Sequence, residues 1–101
     1  MGTSDADLMV GVQRREAAAF DELVRRHDRT LRLHLRRYVG PEDANDLRQE
    51  VLMRLWYKAD QWQGRGSPLA WLLQIATNLA LNHLRGQRAT VPLEGSAPEE
   101  G

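Results

Sequence analysis

Residues 71–85 read WLLQIATNLALNHLR, an apolar stretch that also carries a Trp, a Gln, two Asn, a His and an Arg. Helical spacing sorts these residues. At about 100° per residue, Leu69, Leu72, Leu73, Ala76, Leu79, Ala80, His83 and Leu84 share one broad arc. Trp71, Gln74, Ile75, Asn78, Asn82 and Arg85 fall on the opposite arc at spacings of three and four. The polar residues therefore form one stripe and do not interrupt the core face. Trp71 and Ile75 are the anomaly, since the wheel turns them away from the core. Two readings stay open: Trp71 packs on the preceding loop beside solvated amides, or the stripe is a nucleic-acid surface. In the second, amides meet base edges, Arg meets phosphate and Trp stacks on an unpaired base.

Upstream the pattern is also helical, with no sustained period-two alternation. A short helix is predicted over about 5–13, capped by Ser4 or Asp5. A longer one spans about 16–39, with Phe20, Leu23, Val24, Leu31, Leu35 and Tyr38 on its buried face. Gly40-Pro41 stops it, because Pro cannot continue the hydrogen-bond ladder. A third helix is predicted from about 42 to 60, followed by the loop DQWQGRGSP. Ser67-Pro68 then starts the last helix, over about 68–86, with Ser as cap and Pro at the first helical position. The fold expected is all-α, a compact bundle of three long helices plus a short N-terminal one. Residues 89–101 hold three acids, two prolines and no base, and read as an acidic flexible linker or tail.

At 101 residues there is room for one core, and zero cysteines exclude disulfides and thiolate metal sites. The opening MGTSDADLM lacks the features of a signal peptide and no apolar run is long enough to span a bilayer. A cytoplasmic protein without a membrane segment is expected. All fourteen Lys and Arg lie between Arg14 and Arg88, against nine acids in the same block, an excess compatible with a nucleic-acid surface. Enzymatic readings lack support: His27, His34 and His83 have no metal-ligand spacing, GRG at 64–66 is no nucleotide fingerprint, and Ser67 is explained as a cap. Paired acids such as Asp21-Glu22 and Glu42-Asp43 suit helix starts and exposed faces. No cofactor or metal is expected.

The stretch NDLRQEVLMRLWYKAD has two faces as well. Leu47, Val51, Leu52 and Leu55 make its core arc. Asp46, Gln49, Glu50, Met53 and Tyr57 lie on another, with Trp56 at the boundary. Such acids interleaved with Met and aromatics suit either solvation or a protein partner that supplies bases around apolar anchors.

AAFDELVRRHDRTLRLHLRRYVG, then PEDANDLRQEVLMRLW, then GRGSPLAWLLQIATNLALNHLR together resemble region 2 of bacterial RNA polymerase sigma factors, above all the extracytoplasmic-function group. The resemblance spans about residues 5–88 and makes residues 1–88 the region 2 domain. It implies two surfaces. One docks on the coiled coil of the largest catalytic subunit of the polymerase core, through positions matching Asp46, Gln49 and Glu50, with Met53, Trp56 and neighbouring Tyr57. The other recognises and opens the promoter −10 element as single-stranded non-template DNA. The loop Trp62, Gln63, Gly64, Arg65, Gly66 and Ser67 would receive a flipped base, and Trp71, Ile75 and Asn78 would meet the upstream edge. Gln74 and Asn82 continue that stripe, while Arg65, Arg85 and Arg88 would meet phosphates.

Three departures qualify the resemblance. Leu72 follows Trp71 where housekeeping sigma factors pair two aromatics, which implies weaker melting and dependence on a good promoter match. Arg48 stands inside the DLxQE motif where an apolar residue is common. No stretch of these residues matches the helix-turn-helix domain that reads the −35 element, so the chain is expected either to be an excised domain ending in the interdomain linker, the favoured reading, or to use something else for upstream contacts. The family also implies an anti-sigma partner. The competing reading is a sigma-like protein-interaction bundle, an adaptor or anti-sigma-binding decoy without DNA readout.

Overall fold

The computed structural model describes residues 2–88, with side chains to Gly86, and the acidic stretch 89–101 lies outside them. Four α-helices and one 3₁₀ turn form the domain, with no strand among the described residues. Helix α1 (Asp5–Gln13) is capped by Ser4, whose Oγ accepts from the Asp7 amide at 3.0 Å, and Asp5 and Asp7 complement the positive end of the helix dipole. Its Met9 and Val12 are fully buried. Gly11 permits a close crossing of the next helix: a Cβ there would stand 2.6 Å from the Ala19 Cβ.

A left-handed Arg15 (φ 63°) ends α1 in a Schellman turn. The Glu16 amide donates to the Gly11 carbonyl at 3.0 Å and the Arg15 amide to Val12 at 2.8 Å. Helix α2 (Ala17–Arg36) buries Ala19, Leu23, Leu31 and Leu35 and rests Phe20 and Val24 against the core. It stops short of the expected position 39, closing in turns in which Tyr38 and Val39 amides donate to Leu35. Helix α3 (Pro41–Lys58) begins at Pro41 itself, one residue before the predicted start, with Gly40 at the cap. Pro therefore does two things here: it forbids α2 from continuing and suits the first position of α3.

Helix α3 ends at Lys58, and the 3₁₀ turn Ala59–Gln61 replaces the last turn that was expected to be α-helical. Helix α4 (Pro68–Arg88) starts where Ser67 Oγ accepts from the Ala70 amide at 3.0 Å. Its Leu72, Ala76 and Ala80 line the core at four-residue spacing. Three residues depart from the helical wheel. Trp71 and Ile75 are half-buried and pack against the core, because α2 and α3 enclose α4 on a wider arc than one flat face. His83 is half-buried at the rim, with its Nε2 3.1 Å from Asp43 Oδ2 on α3, and so is not a core residue.

Polar ties at the rim join the helices pairwise. Asp5 of α1 meets His27 at 2.6 Å and Arg26 at 3.0 Å on α2. Asp28 of α2 holds Arg48 of α3 and also Arg32 of its own helix. His34 Nε2 meets Thr77 Oγ1 of α4 at 2.8 Å, while that hydroxyl donates to the Leu73 carbonyl. Burial pushes the Asp5 and Asp28 carboxyls up, but hydrogen bonds from His27 and Arg26, and from Arg48, outweigh it and hold both below the ordinary carboxylate range.

Burial, aided by Arg37, pushes the His34 imidazole below its ordinary 6.5. Charging it in the fold means charging a desolvated ring, so the unfolded chain binds this proton more readily. The resulting stability is fully present above pH 6.5 and is lost as pH falls through the lower folded value. We therefore expect the melting-temperature advantage of wild type over His34→Gln to shrink between about pH 7.5 and about pH 5. A constant difference across that range would show that His34 does not titrate differently in the two states.

Candidate nucleic-acid interface

The loop between the 3₁₀ turn and α4 is fixed at both ends by burial. Trp62 is 8% exposed and belongs to the core cluster, and Pro68 is buried at the start of α4. The Gln13 side-chain amide, at the end of α1, donates to the carbonyls of Ala59 (3.0 Å) and Trp62 (3.2 Å). Between these anchors Gln63, Gly64, Arg65, Gly66 and Ser67 are all exposed. Gly64 and Gly66 have φ of 83° and 72°, left-handed values that an L side chain adopts only with strain. Nothing stands within 4 Å of a Cβ at either position, so backbone conformation and not crowding requires glycine.

The loop and the first turn of α4 enclose an open hollow of about 300 Å³. Its walls include Gln61, Trp62, Gln63, Arg65, Gly66, Ser67, Trp71 and Gln74. Beside it, between α3 and α4, runs a groove of about 330 Å³. Arg54 and Lys58 form the α3 wall of that groove; Ile75, Asn78, Leu79 and Asn82 form the α4 wall. Gln61 and Trp71 line both spaces, so the Trp71 indole stands where they meet. Asn78 is exposed, and the Asn82 side-chain oxygen accepts from Arg85 Nη1 at 2.7 Å. Two buried donors, Trp62 Nε1 and Arg54 Nε, have no hydrogen-bond partner among the described residues.

Most residues expected to bind DNA thus converge: the loop, Trp71 and Gln74 on the hollow, and Trp71, Ile75, Asn78 and Asn82 on the groove. Arg85 reaches the groove through Asn82, and the Arg88 side chain lies outside the described residues. Trp62 is the buried member of the predicted loop: it belongs to the core cluster and also lines the hollow. The cationic wall, Arg54 and Lys58, was missed. Their spacing of four marks one face of α3, but only packing shows that this face meets α4.

The outward face of α3 presents Asp46, Gln49 and Glu50, all exposed, with Met53 and Tyr57 at 58% and 68% exposure. Trp56 is half-buried at its edge, its ring 5.4 Å from Phe20 in an edge-to-face contact and 5.7 Å from the Arg15 guanidinium. Glu50 Oε2 lies 3.4 Å from Arg54 Nη2, so one side-chain pair forms the seam between this face and the groove.

The sequence matches the Sigma-70 region 2 family over residues 23–90. It is 31% identical over 97 residues to the ECF RNA polymerase sigma-E factor of Haemophilus influenzae, covering 96% of this chain and 51% of that protein. The chain belongs to the sigma-70 region 2 family. Its relatives place it in the extracytoplasmic-function group: the sigma factor SigM of Mycobacterium tuberculosis is 35% identical over 98 residues, 94% of this chain and 50% of that one. The chain spans about half the length of the curated relatives it matches. Among solved structures, an engineered region 2 of sigmaE in complex with GTAAAA, determined by NMR, is similar with a TM-score of 0.82 at 29% identity, covering 92% of this chain and 100% of that one.

Burial distinguishes the two kinds of loop residue in this region 2 domain. Trp62→Ala is expected to cost about 3–5 kcal/mol and lower the melting temperature by more than about 10 °C. Arg65→Ala and Gln63→Ala should each stay within about 0.5 kcal/mol of wild type. Thermal melts followed by circular dichroism check this, and a Trp62→Ala melt equal to that of Arg65→Ala would return the indole to the surface.

Proposed function

We propose that this domain recognises and opens a promoter −10 element, holding the non-template strand unpaired, while docked on the RNA polymerase core. The observation that carries the reading is the junction at Trp71, where a base-sized hollow with glycine-built walls meets a groove lined by Arg54 and Lys58. The hollow suits a base turned out of the stack, whose unstacking costs a few kcal/mol and is offset by contact with aromatic and amide groups. Trp71 offers a half-buried ring against which the neighbouring base can stack, worth about 1–3 kcal/mol. Asn78 supplies a donor and an acceptor together to a base edge, and Arg54, Lys58 and Arg65 follow the phosphates. The complex of the similar sigmaE region 2 with GTAAAA supports the same class of ligand.

The exposed acidic-apolar face of α3 is the docking surface for the polymerase core, with Met53 and Tyr57 as apolar anchors inside a rim of Asp46, Gln49 and Glu50. The domain acts with polymerase in the cytoplasm and performs no covalent chemistry. No described helix is long and apolar enough to cross a membrane. An anti-sigma protein that covers either face would silence it.

Fluorescence anisotropy with single-stranded GTAAAA and a scrambled hexamer tests the readout. Wild type should prefer the matched strand, and Asn78→Ala should shrink that preference more than it weakens total binding. Lys58→Ala should weaken both strands alike and lessen the slope of log affinity against log salt by about 0.7, one single-strand phosphate contact. Equal wild-type affinity for matched and scrambled strands would remove the DNA readout and leave a protein-binding bundle. For the other face, Asp46→Arg and Glu50→Arg should each abolish capture by immobilised polymerase core while the melting temperature stays close to wild type. Unchanged capture by both variants would place the docking surface elsewhere.

A further inference from the structure

A third open space lies away from the loop and groove, between the C-terminal half of α2 and the first turns of α3. This hollow of about 360 Å³ is walled by Arg29, Arg32, Leu33 and Arg36 of α2 and floored by Pro41 and Ala44 of α3. The three arginines are exposed and follow one another at spacings of three and four, so they share one face of the helix. Arg32 pairs with Asp28, whereas Arg29 and Arg36 make no ion pair among the described residues. Leu33 is exposed among them, so basic side chains surround an apolar centre. The outward face of α3 has the opposite charge in a similar arrangement. Glu42, Asp46 and Glu50 recur at four-residue spacing, all exposed, and Met53 and Tyr57 continue the line as exposed apolar side chains.

We propose that the arginine face of α2 in one copy of this chain seats on the acidic face of α3 in a second copy, with a two-fold axis making the same contact twice. Four observations select a second copy as the occupant. The charges are complementary over matching lengths: at about 1.5 Å per residue, Arg29 to Arg36 covers about 10 Å of helix and Glu42 to Glu50 about 12 Å. The apolar groups match as well. Leu33, Met53 and Tyr57 are three of the five large apolar side chains exposed among the described residues, and pairing the two faces covers all three. The faces also adjoin on one molecule, since Asn45 lines the hollow and Gln49, one turn further on, belongs to the acidic face. Each copy thus offers both patches to its partner, which is what a closed, isologous contact requires. Finally, the formal net charge is zero, so no overall repulsion opposes association. Nucleic acid fits this hollow less well. A phosphate strand laid along 29–36 offers nothing to Leu33 and Pro41, and it would run beside Glu42 and Asp46, which repel it. Exposed helix faces joined by surface ion pairs give a weak, salt-sensitive dimer. The dimer does not depend on the function proposed above, but its consequence rests on that reading: if the α3 face docks on polymerase, self-association covers it and only the monomer docks.

Sedimentation equilibrium without polymerase or DNA tests the dimer separately from the docking reading. At low salt the weight-average mass should rise from the 11.5 kDa of one chain toward twice that value as concentration increases from about 10 μM to about 1 mM, and about 0.5 M salt should return it to one chain. Two variants probe the faces: Arg29→Glu with Arg36→Glu in one, Asp46→Arg with Glu50→Arg in the other. All four positions are exposed, and circular dichroism should show both variants folded. Each alone should stay monomeric. An equimolar mixture should recover the dimer, because one of its two contacts is then native and the other has both charges exchanged. A wild type that stays monomeric overturns the proposal, as does a dimer that survives in either variant alone or a mixture that stays monomeric. Mass beyond two chains assigns the faces to an open head-to-tail array and overturns the two-fold pairing. Amide NMR shifts at 29–36 on adding a single-stranded oligonucleotide, in a wild type that stays monomeric, assign the arginine face to nucleic acid and overturn it as well.

Discussion

The Gln13 side-chain amide and the buried Trp62 indole together hold the backbone from which the candidate interface is built. Gln13 donates to two carbonyls, that of Ala59 in the 3₁₀ turn, which also accepts from the Trp62 amide, and that of Trp62 itself. Trp62 fills the core beneath them. At the far end of the loop, Pro68 is buried and Ser67 caps α4. Five exposed residues are thereby stretched between two fixed points, and the two left-handed glycines set how the chain turns between them. A hollow formed by exposed loop residues keeps its shape only under such constraint. Loops without it sample many conformations, and each would have to be frozen out on binding.

Much of the fold was legible because the helix ends carry chemistry that acts locally. Ser4 and Ser67 cap the helices they precede, and Gly40-Pro41 breaks the chain where expected. Apart from shifted helix ends, the departures concern relations between elements. A wheel assumes one flat neighbour, whereas α4 is enclosed by α2 and α3, which draws Trp71 and Ile75 inward and leaves His83 at the rim with Asp43. Trp62 sits in a glycine-containing loop, yet it is nearly buried, and its carbonyl is held by Gln13, 49 residues away. Nothing in α3 alone marks Arg54 and Lys58; α4 makes them one wall of a groove.

Polar contacts at the rim explain why the helices settle in one register. An apolar core of Leu, Val and Ala is permissive, since similar volumes can slide past one another at small cost. Asp5 with His27, Asp28 with Arg48, His34 with Thr77 and His83 with Asp43 each join two different helices near the protein surface. Sliding any helix by one residue would break its tie and leave a partly buried donor or acceptor unpaired. These contacts matter less for net stability than for selecting one arrangement, and that arrangement is what juxtaposes Arg54 with Asn78 across the groove.

The shortest helix braces both proposed surfaces. Gln13 of α1 holds the loop, and two residues later Arg15 places its guanidinium over Trp56, at the edge of the acidic α3 face. Arg15 occupies a left-handed position that glycine would fill without strain, at a cost of roughly 1–2 kcal/mol. Three contacts offset this cost: the stacking on Trp56, a hydrogen bond to the Val12 carbonyl at 3.2 Å and an approach to Asp60 at 3.8 Å. A glycine would close the same Schellman turn but release Trp56 and Asp60 together. The strained arginine thus trades backbone ease for side-chain contacts that tie the α1 terminus to both α3 and the 3₁₀ turn. Movement of either surface is then resisted by Met9 and Val12, which fix α1 in the core. A nine-residue helix with weak amphipathic character gives no hint of this in its own pattern. Its importance comes from what its last residues reach.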